Sequence, residues 1–137
     1  MRFILAAALT TFLFTNPALA ASVTISVDRS EQLMRVSVDG VHKYTWPVST
    51  GRKYRWTRPG RFGVQSMKVF HRSTIYNNAP MPHSIFYDGN RAIHGTSDVK
   101  RLGTRASHGC IRLLKKNARA LFALVRENRN STRITVE

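Results

Sequence analysis

The chain has one cysteine, Cys110, few carboxylates, and no apolar run long enough to cross a bilayer. A single cysteine excludes an internal disulfide. Low-complexity linkers, internal repeats and a second apolar span are also missing, which argues against repeat architectures and tandem domains. The carboxylate shortage is marked: 7 Asp+Glu stand against 22 Lys+Arg, for a formal net charge of +15. In a cytoplasmic protein that balance would point first to nucleic acid. The N-terminus argues otherwise.

Arg2 opens the chain with a positive charge, and Phe3 to Phe14 is almost wholly apolar. Asn16-Pro17 breaks the run, and Ala18-Leu19-Ala20 supplies small residues of the kind a signal peptidase cleaves after. The run is shorter than the roughly 20 residues a membrane-spanning helix needs. Residues 1–20 are therefore expected to be a signal peptide, and residues 21–137 a single exported domain with no membrane segment of its own, working in the periplasm or cell wall. That domain keeps 21 Lys+Arg against 7 Asp+Glu. Export removes most of the case for nucleic acid and favours anionic envelope polymers as the surroundings. An unpaired thiol in an oxidising compartment then needs a reason: it is either buried and inert or a nucleophile.

Alternation predicts strands over residues 22–28, 33–38 and 41–48, with Asp39-Gly40 as the hairpin turn between the last two. A polar loop runs from Ser49-Thr50-Gly51 to Thr57-Arg58-Pro59-Gly60, and a strand is expected over 61–70. Residues 71–82, rich in Asn, Pro and Ser, read as a long loop of the lid or binding type. Short strands follow at 84–87 and 91–93, a polar loop at 95–107, and a last strand at 132–136. Leu114, Ala118, Leu121, Phe122 and Val125 recur at helical spacing, which predicts one helix starting near Leu114. The expected fold is mainly β: a sandwich or open barrel with one principal α-helix after the cysteine.

Ser107-His108-Gly109-Cys110-Ile111-Arg112-Leu113 is the informative segment. Read as running into that helix, it sets Cys110 at a helix N-terminus, where the dipole and Arg105 and Arg112 would favour thiolate. Free N–H groups around Gly109 and Cys110 could hold an oxyanion. A thiol nucleophile also needs a base. His94, where a strand meets a loop, is favoured over His108, which reaches Cys110 only if the turn folds back. His71 and His83 read as loop residues.

Ile93-His94-Gly95-Thr96 paired with Ser107-His108-Gly109-Cys110-Ile111-Arg112-Leu113, sixteen residues from His94 to Cys110, resembles the catalytic motif of the L,D-transpeptidases (YkuD-type domain). Val48-Ser49-Thr50-Gly51, Thr57-Arg58-Pro59-Gly60-Arg61-Phe62 and Met81-Pro82 before Ile85-Phe86-Tyr87 are similar to other segments of that family. The resemblance implies Cys110 as nucleophile and His94 as general base, its ring held by the Gly95 carbonyl. It implies an oxyanion hole from the N–H groups of His108, Gly109 and Cys110, and substrate contacts from Ser107, Arg112, Met81 and Tyr87. It implies no metal and no organic cofactor. Its substrates would be peptidoglycan stem peptides as acyl donor and acceptor, giving 3-3 cross-links, or an envelope protein as acceptor, giving a wall anchor. Three other readings compete: hydrolysis of the same bonds by a carboxypeptidase or endopeptidase, zinc held by Cys110, His108 and His94, and a non-catalytic basic wall-binding module.

Overall fold

Burial with a period of two builds the first layer. In the computed structural model, which describes residues 10–14 and 19–137, β1 (Val23–Asp28) turns Val23, Ile25 and Val27 inward, all fully buried. β2 (Leu33–Val38) pairs antiparallel with it and adds Met34 and Val36. The Asp39-Gly40 turn has φ values of 51° and 78°, the doubly left-handed geometry of a two-residue hairpin. It leads into β3 (Val41–Pro47), an edge strand. β9 (Thr132–Val136) returns from the far end of the chain to lie parallel to β1, and β4 (Gly60–Phe62) pairs with β9. The first sheet therefore runs β3-β2-β1-β9-β4.

The second sheet holds β5 (Ser66–Lys68), β6 (Ser84–Asp88), β7 (Arg91–Thr96) and β8 (Ile111–Leu114), in that order. Its first three strands are antiparallel, and β8 runs parallel to β7. The helix α1 (Lys115–Glu127) lays Ala118, Leu121, Phe122 and Val125 against this sheet. A mainly β sandwich with one principal helix is thus the fold, as expected. Apolar residues of both sheets and of the helix stripe form one continuous core.

Three local readings change. The strand expected over 61–70 is two short strands in different sheets, because the chain crosses between layers at Gly63-Val64-Gln65. The crossing is pinned by Gln65, whose N–H donates to Phe86 O and whose Oε1 accepts from Gly89 N–H. The strand expected over 91–93 continues to Thr96. Residues 111–114, expected to lead into the helix, are strand β8, since Ile111 and Leu113 alternate with Arg112 and Leu114 and both enter the core.

The expected signal peptide lies largely outside the described residues; of its described part, Phe12, Leu13, Phe14 and Leu19 are exposed. No helix among the described residues is long and apolar enough to cross a membrane.

Candidate active site

The β7–β8 ladder sets the geometry. Ile93 pairs with Ile111 and His94 with Arg112, so the same register continued back puts Ala92 beside Cys110. Side chains alternate across a sheet. Ile93, Ile111 and Leu113 therefore face the core, whereas His94, Arg112 and Cys110 share the opposite face and line one cleft of about 580 Å³. His94 and Cys110 are diagonal neighbours, with Cα atoms roughly 8 Å apart from strand spacing and rise. That distance lies within the combined reach of an imidazole and a thiol. The thiol, half-buried, accepts a long hydrogen bond from Ala92 N–H (3.5 Å) and donates weakly to Asn90 O (3.9 Å).

His94 is only 6% exposed. Its Nδ1 lies 2.8 Å from Gly95 O, and because a carbonyl can only accept, Nδ1 carries the proton and Nε2 presents its lone pair. Gly95 sits in a crowded spot: a Cβ there would meet Lys115 Cα at 3.1 Å and Pro82 Cγ at 3.2 Å. Its N–H donates to Pro82 O (2.9 Å), which ties the end of the long loop to the His94 strand.

The electrostatics differ from the expected picture. Cys110 precedes a strand, so no helix dipole acts on it. Burial raises its pKa, and the opposing pull of the Ala92 N–H and of Arg112 and Arg91 is weaker. Burial also lowers the pKa of His94 to about 4; the Gly95 carbonyl opposes this and the Arg112 charge adds to it. The resting pair is neutral thiol and neutral imidazole, not the thiolate expected from a helix terminus.

The cysteine turn is held from below. Ser107, buried, donates to Cys110 O (2.6 Å) and accepts from Gly109 N–H (3.0 Å). Gly109 N–H is therefore already engaged, which leaves the amides of His108 and Cys110 as the donors that could meet an oxyanion. Gly109 has φ +134°, and a Cβ would meet Trp56 O at 3.0 Å, so only glycine fits. Thr57 Oγ1 donates to Gly109 O at 2.8 Å. Arg91 donates to Trp56 O and pairs with Asp88 (3.3 Å).

His108 does not turn toward the sulfur. Its ring stacks on Tyr76 (4.2 Å, 9° between planes), with Trp56 6.1 Å away, so the long loop closes over the cysteine turn through an aromatic pair. Met81 of that loop is buried and lines the cleft, as does Arg112. None of the ion pairs among the described residues uses Arg112. Tyr87 is a correction. It is 1% exposed, edge-on to Phe62 in the core and absent from the cleft wall, because alternation along β6 sends Phe86 and Asp88 to the cleft instead. His83 packs edge-on against Phe122 rather than lining the cleft. Among the described residues no three His, Cys, Asp or Glu side chains gather closely enough to hold a metal ion.

Thr57, Trp56, Tyr76, Phe86 and Arg91 were not assigned to the site from sequence. Thr57 belongs to the Thr57-Arg58-Pro59-Gly60 segment, but nothing in a one-dimensional pattern ties it to a carbonyl 52 residues away.

The sequence model of the YkuD L,D-transpeptidase catalytic domain matches residues 22–136. No curated protein matches the chain. Among solved structures, an L,D-transpeptidase from Mycobacterium smegmatis superposes with TM-score 0.76 at 23% identity, over 85% of this chain and 59% of that one. One from Stackebrandtia nassauensis gives 0.74 at 22%, over 94% and 61%. One from Xylanimonas cellulosilytica gives 0.72 at 24%, over 88% and 63%. The chain thus spans about three fifths of the length of the structures it matches.

Two predictions follow from the site's electrostatics and packing. The folded pKa of His94, about 4, lies below its ordinary 6.5. Above 6.5 neither state holds the proton and the group contributes nothing; as pH falls toward 4 the unfolded chain binds it first. The folded state should then lose up to about 3 kcal/mol. A His94→Gln variant should escape that loss, read from urea midpoints at about pH 7 and about pH 4; equal losses in both proteins would contradict the buried neutral ring. Among the described residues the buried Tyr87 hydroxyl has no hydrogen-bond partner. Tyr87→Phe should therefore match or exceed parental stability by up to about 1 kcal/mol, and a marked destabilisation would mean the hydroxyl has a partner.

Proposed function

The chain belongs to the L,D-transpeptidase catalytic-domain family, and from that premise we propose that it transfers acyl groups between peptidoglycan stem peptides through a thioester on Cys110. The observation that carries this reading is the shared face of the parallel β7–β8 ladder, where thiol and imidazole open into one cleft.

Sγ attacks the carbonyl that links the third stem residue to a terminal D-Ala. As the C–S bond forms, the thiol proton passes to Nε2 of His94, whose Nδ1–H is already fixed on Gly95 O. Starting from a neutral pair, this transfer accompanies attack rather than preceding it. The carbonyl oxygen becomes an oxyanion held by the His108 and Cys110 amides. Collapse breaks the C–N bond; the proton on His94 passes to the departing amine, and D-Ala leaves with a thioacyl-enzyme behind. An acceptor amine then attacks, surrenders its proton to His94 and expels the thiolate, which takes the proton back. A stem amine gives a 3-3 cross-link, and an amine of an envelope protein gives an anchored protein.

Arg112, in the cleft and in none of the ion pairs among the described residues, supplies a cation for a stem carboxylate. Met81 contributes an apolar wall, and Ser107 acts by shaping the turn. Catalysis runs on the chain's own residues without metal or cofactor. Export fits the same reading. Ala21, just after the proposed cleavage at Ala20, is tied to the folded domain: its N–H donates to Asn128 Oδ1 (2.8 Å). The basic surface suits an anionic wall, in the periplasm or beyond.

Incubating the purified protein with a tetrapeptide donor should yield an adduct on Cys110 with the mass of the donor less D-Ala. Cys110→Ala should abolish it, and an adduct surviving that change would refute the nucleophile. His94→Ala should slow acylation by about a hundredfold or more; near-parental rates would transfer the base role elsewhere. Mass analysis of muropeptides from treated sacculi should show new 3-3 dimers, whereas shortened stems alone would assign hydrolysis.

A further inference from the structure

The loop that ends at Thr57 touches the cysteine turn at two carbonyls, and these are the carbonyls that matter. A trans peptide is planar, with its C=O and N–H pointing in opposite directions. The amide of Cys110 shares a peptide plane with the carbonyl of Gly109, and the amide of His108 shares one with the carbonyl of Ser107. Whatever grips those two oxygens therefore aims those two N–H groups.

Both grips come from residues 52–57. Arg52 N–H donates to Ser107 O at 2.8 Å. Thr57 Oγ1 donates to Gly109 O at 2.8 Å while accepting Gly51 N–H at 2.8 Å. The second bond fixes the direction of the first: an amide can only donate, so the single hydroxyl proton of Thr57 is left for Gly109 O. Thr57 is fully buried and its own carbonyl accepts from Arg29 (3.2 Å), so the side chain has little freedom to drift. The intervening amide, Gly109 N–H, is turned aside onto Ser107 Oγ at 3.0 Å. Neither His108 nor Cys110 has a protein acceptor for its amide among the described hydrogen bonds.

We infer that Thr57 is a positioning residue of the oxyanion hole, holding the Gly109–Cys110 peptide plane so that the Cys110 N–H faces the cleft. It touches neither substrate nor sulfur; it acts through one peptide unit. The Arg52 amide does the same for His108 but is backbone, so Thr57 is the part of the device that side-chain identity controls. The chemistry invoked is the acyl transfer proposed above.

The test separates reactions at Cys110 that build an oxyanion from those that do not. Acylation by p-nitrophenyl acetate passes through a tetrahedral oxyanion; alkylation by iodoacetamide is a direct displacement at carbon and needs none. In Thr57→Val, which keeps the shape and removes the hydroxyl, acylation should fall at least tenfold, toward the ~10²-fold typical of losing one oxyanion donor. Alkylation should stay at the parental rate. Thr57→Ser, which keeps the donor, should restore acylation. Parental acylation in Thr57→Val would overturn the inference. So would a parallel fall in both reactions, which is what a loosened fold or displaced thiol produces. The ester reaction does not depend on the natural substrate, so a parent that reacts with the ester but not with a tetrapeptide would sink the stem-peptide reading while the Thr57 comparison still decides its own question.

Discussion

The parallel pairing of β7 with β8 is the constraint on which the site depends. Two strands that are adjacent in space but separated by the 14 residues 97–110 bring His94 and Cys110 to one face. A one-residue slip of either strand would invert its whole set of side chains, sending the imidazole or the thiol into the core. The register is secured by burial on the other face. Ile93, Ile111 and Leu113 are fully buried there, so any slip would expose apolar surface and bury Arg112. The core of the second sheet and the geometry of the chemistry are thus one commitment, made by residues that alternate in function along the same two strands.

Burial also decides the protonation state. Three positive influences act on Cys110, from the Ala92 N–H, Arg112 and Arg91, yet desolvation outweighs them and the thiol stays protonated. The same low-dielectric surroundings keep His94 neutral. A neutral pair has a consequence for a lone thiol: thiolate is the form that oxidants attack, so a thiol that stays protonated is protected at rest. It also explains why the cradle around the turn is so fully specified. With no standing negative charge to attract an electrophile, the proposed acyl transfer would draw its selectivity for the transition state from fixed amides and a fixed base.

The loops around the ladder divide the labour. The segment from Gly51 to Thr57 lies beneath the cysteine turn and sets its peptide planes through bonds of 2.8 Å. The segment from His71 to Pro82 lies above, joined through Tyr76 on His108 and Met81 in the cleft wall. The ends of the lower segment, Gly51 and Thr57, are buried and hydrogen-bonded, with Arg52, Lys53 and Tyr54 exposed between them; the upper one presents exposed Ile75 and Tyr76. One is a support, the other a cover.

What the sequence determined by itself was local and periodic. Strands β1, β2, β3 and β9, the Asp39-Gly40 hairpin and the helix stripe follow from short-range pattern, because alternation, turn chemistry and helical spacing are properties of neighbours in the chain. The link between the histidine-glycine strand and the cysteine turn was legible only through the family resemblance. Cys110, His94, Arg112 and Met81, named through the family resemblance, line one cleft, and Gly95 O lies 2.8 Å from His94 Nδ1. Tertiary structure alone decided three things. It set Cys110 before a strand rather than a helix, since Ile111 and Leu113 are claimed by the core through pairing with β7. It turned Tyr87 inward and Phe86 outward, since which face of β6 is buried depends on what lies across from it. And it joined Thr57 to Gly109, a contact between distant segments that only the stacking of two sheets creates. Each of these depends on which surfaces meet, and that information is absent from any stretch of sequence read alone.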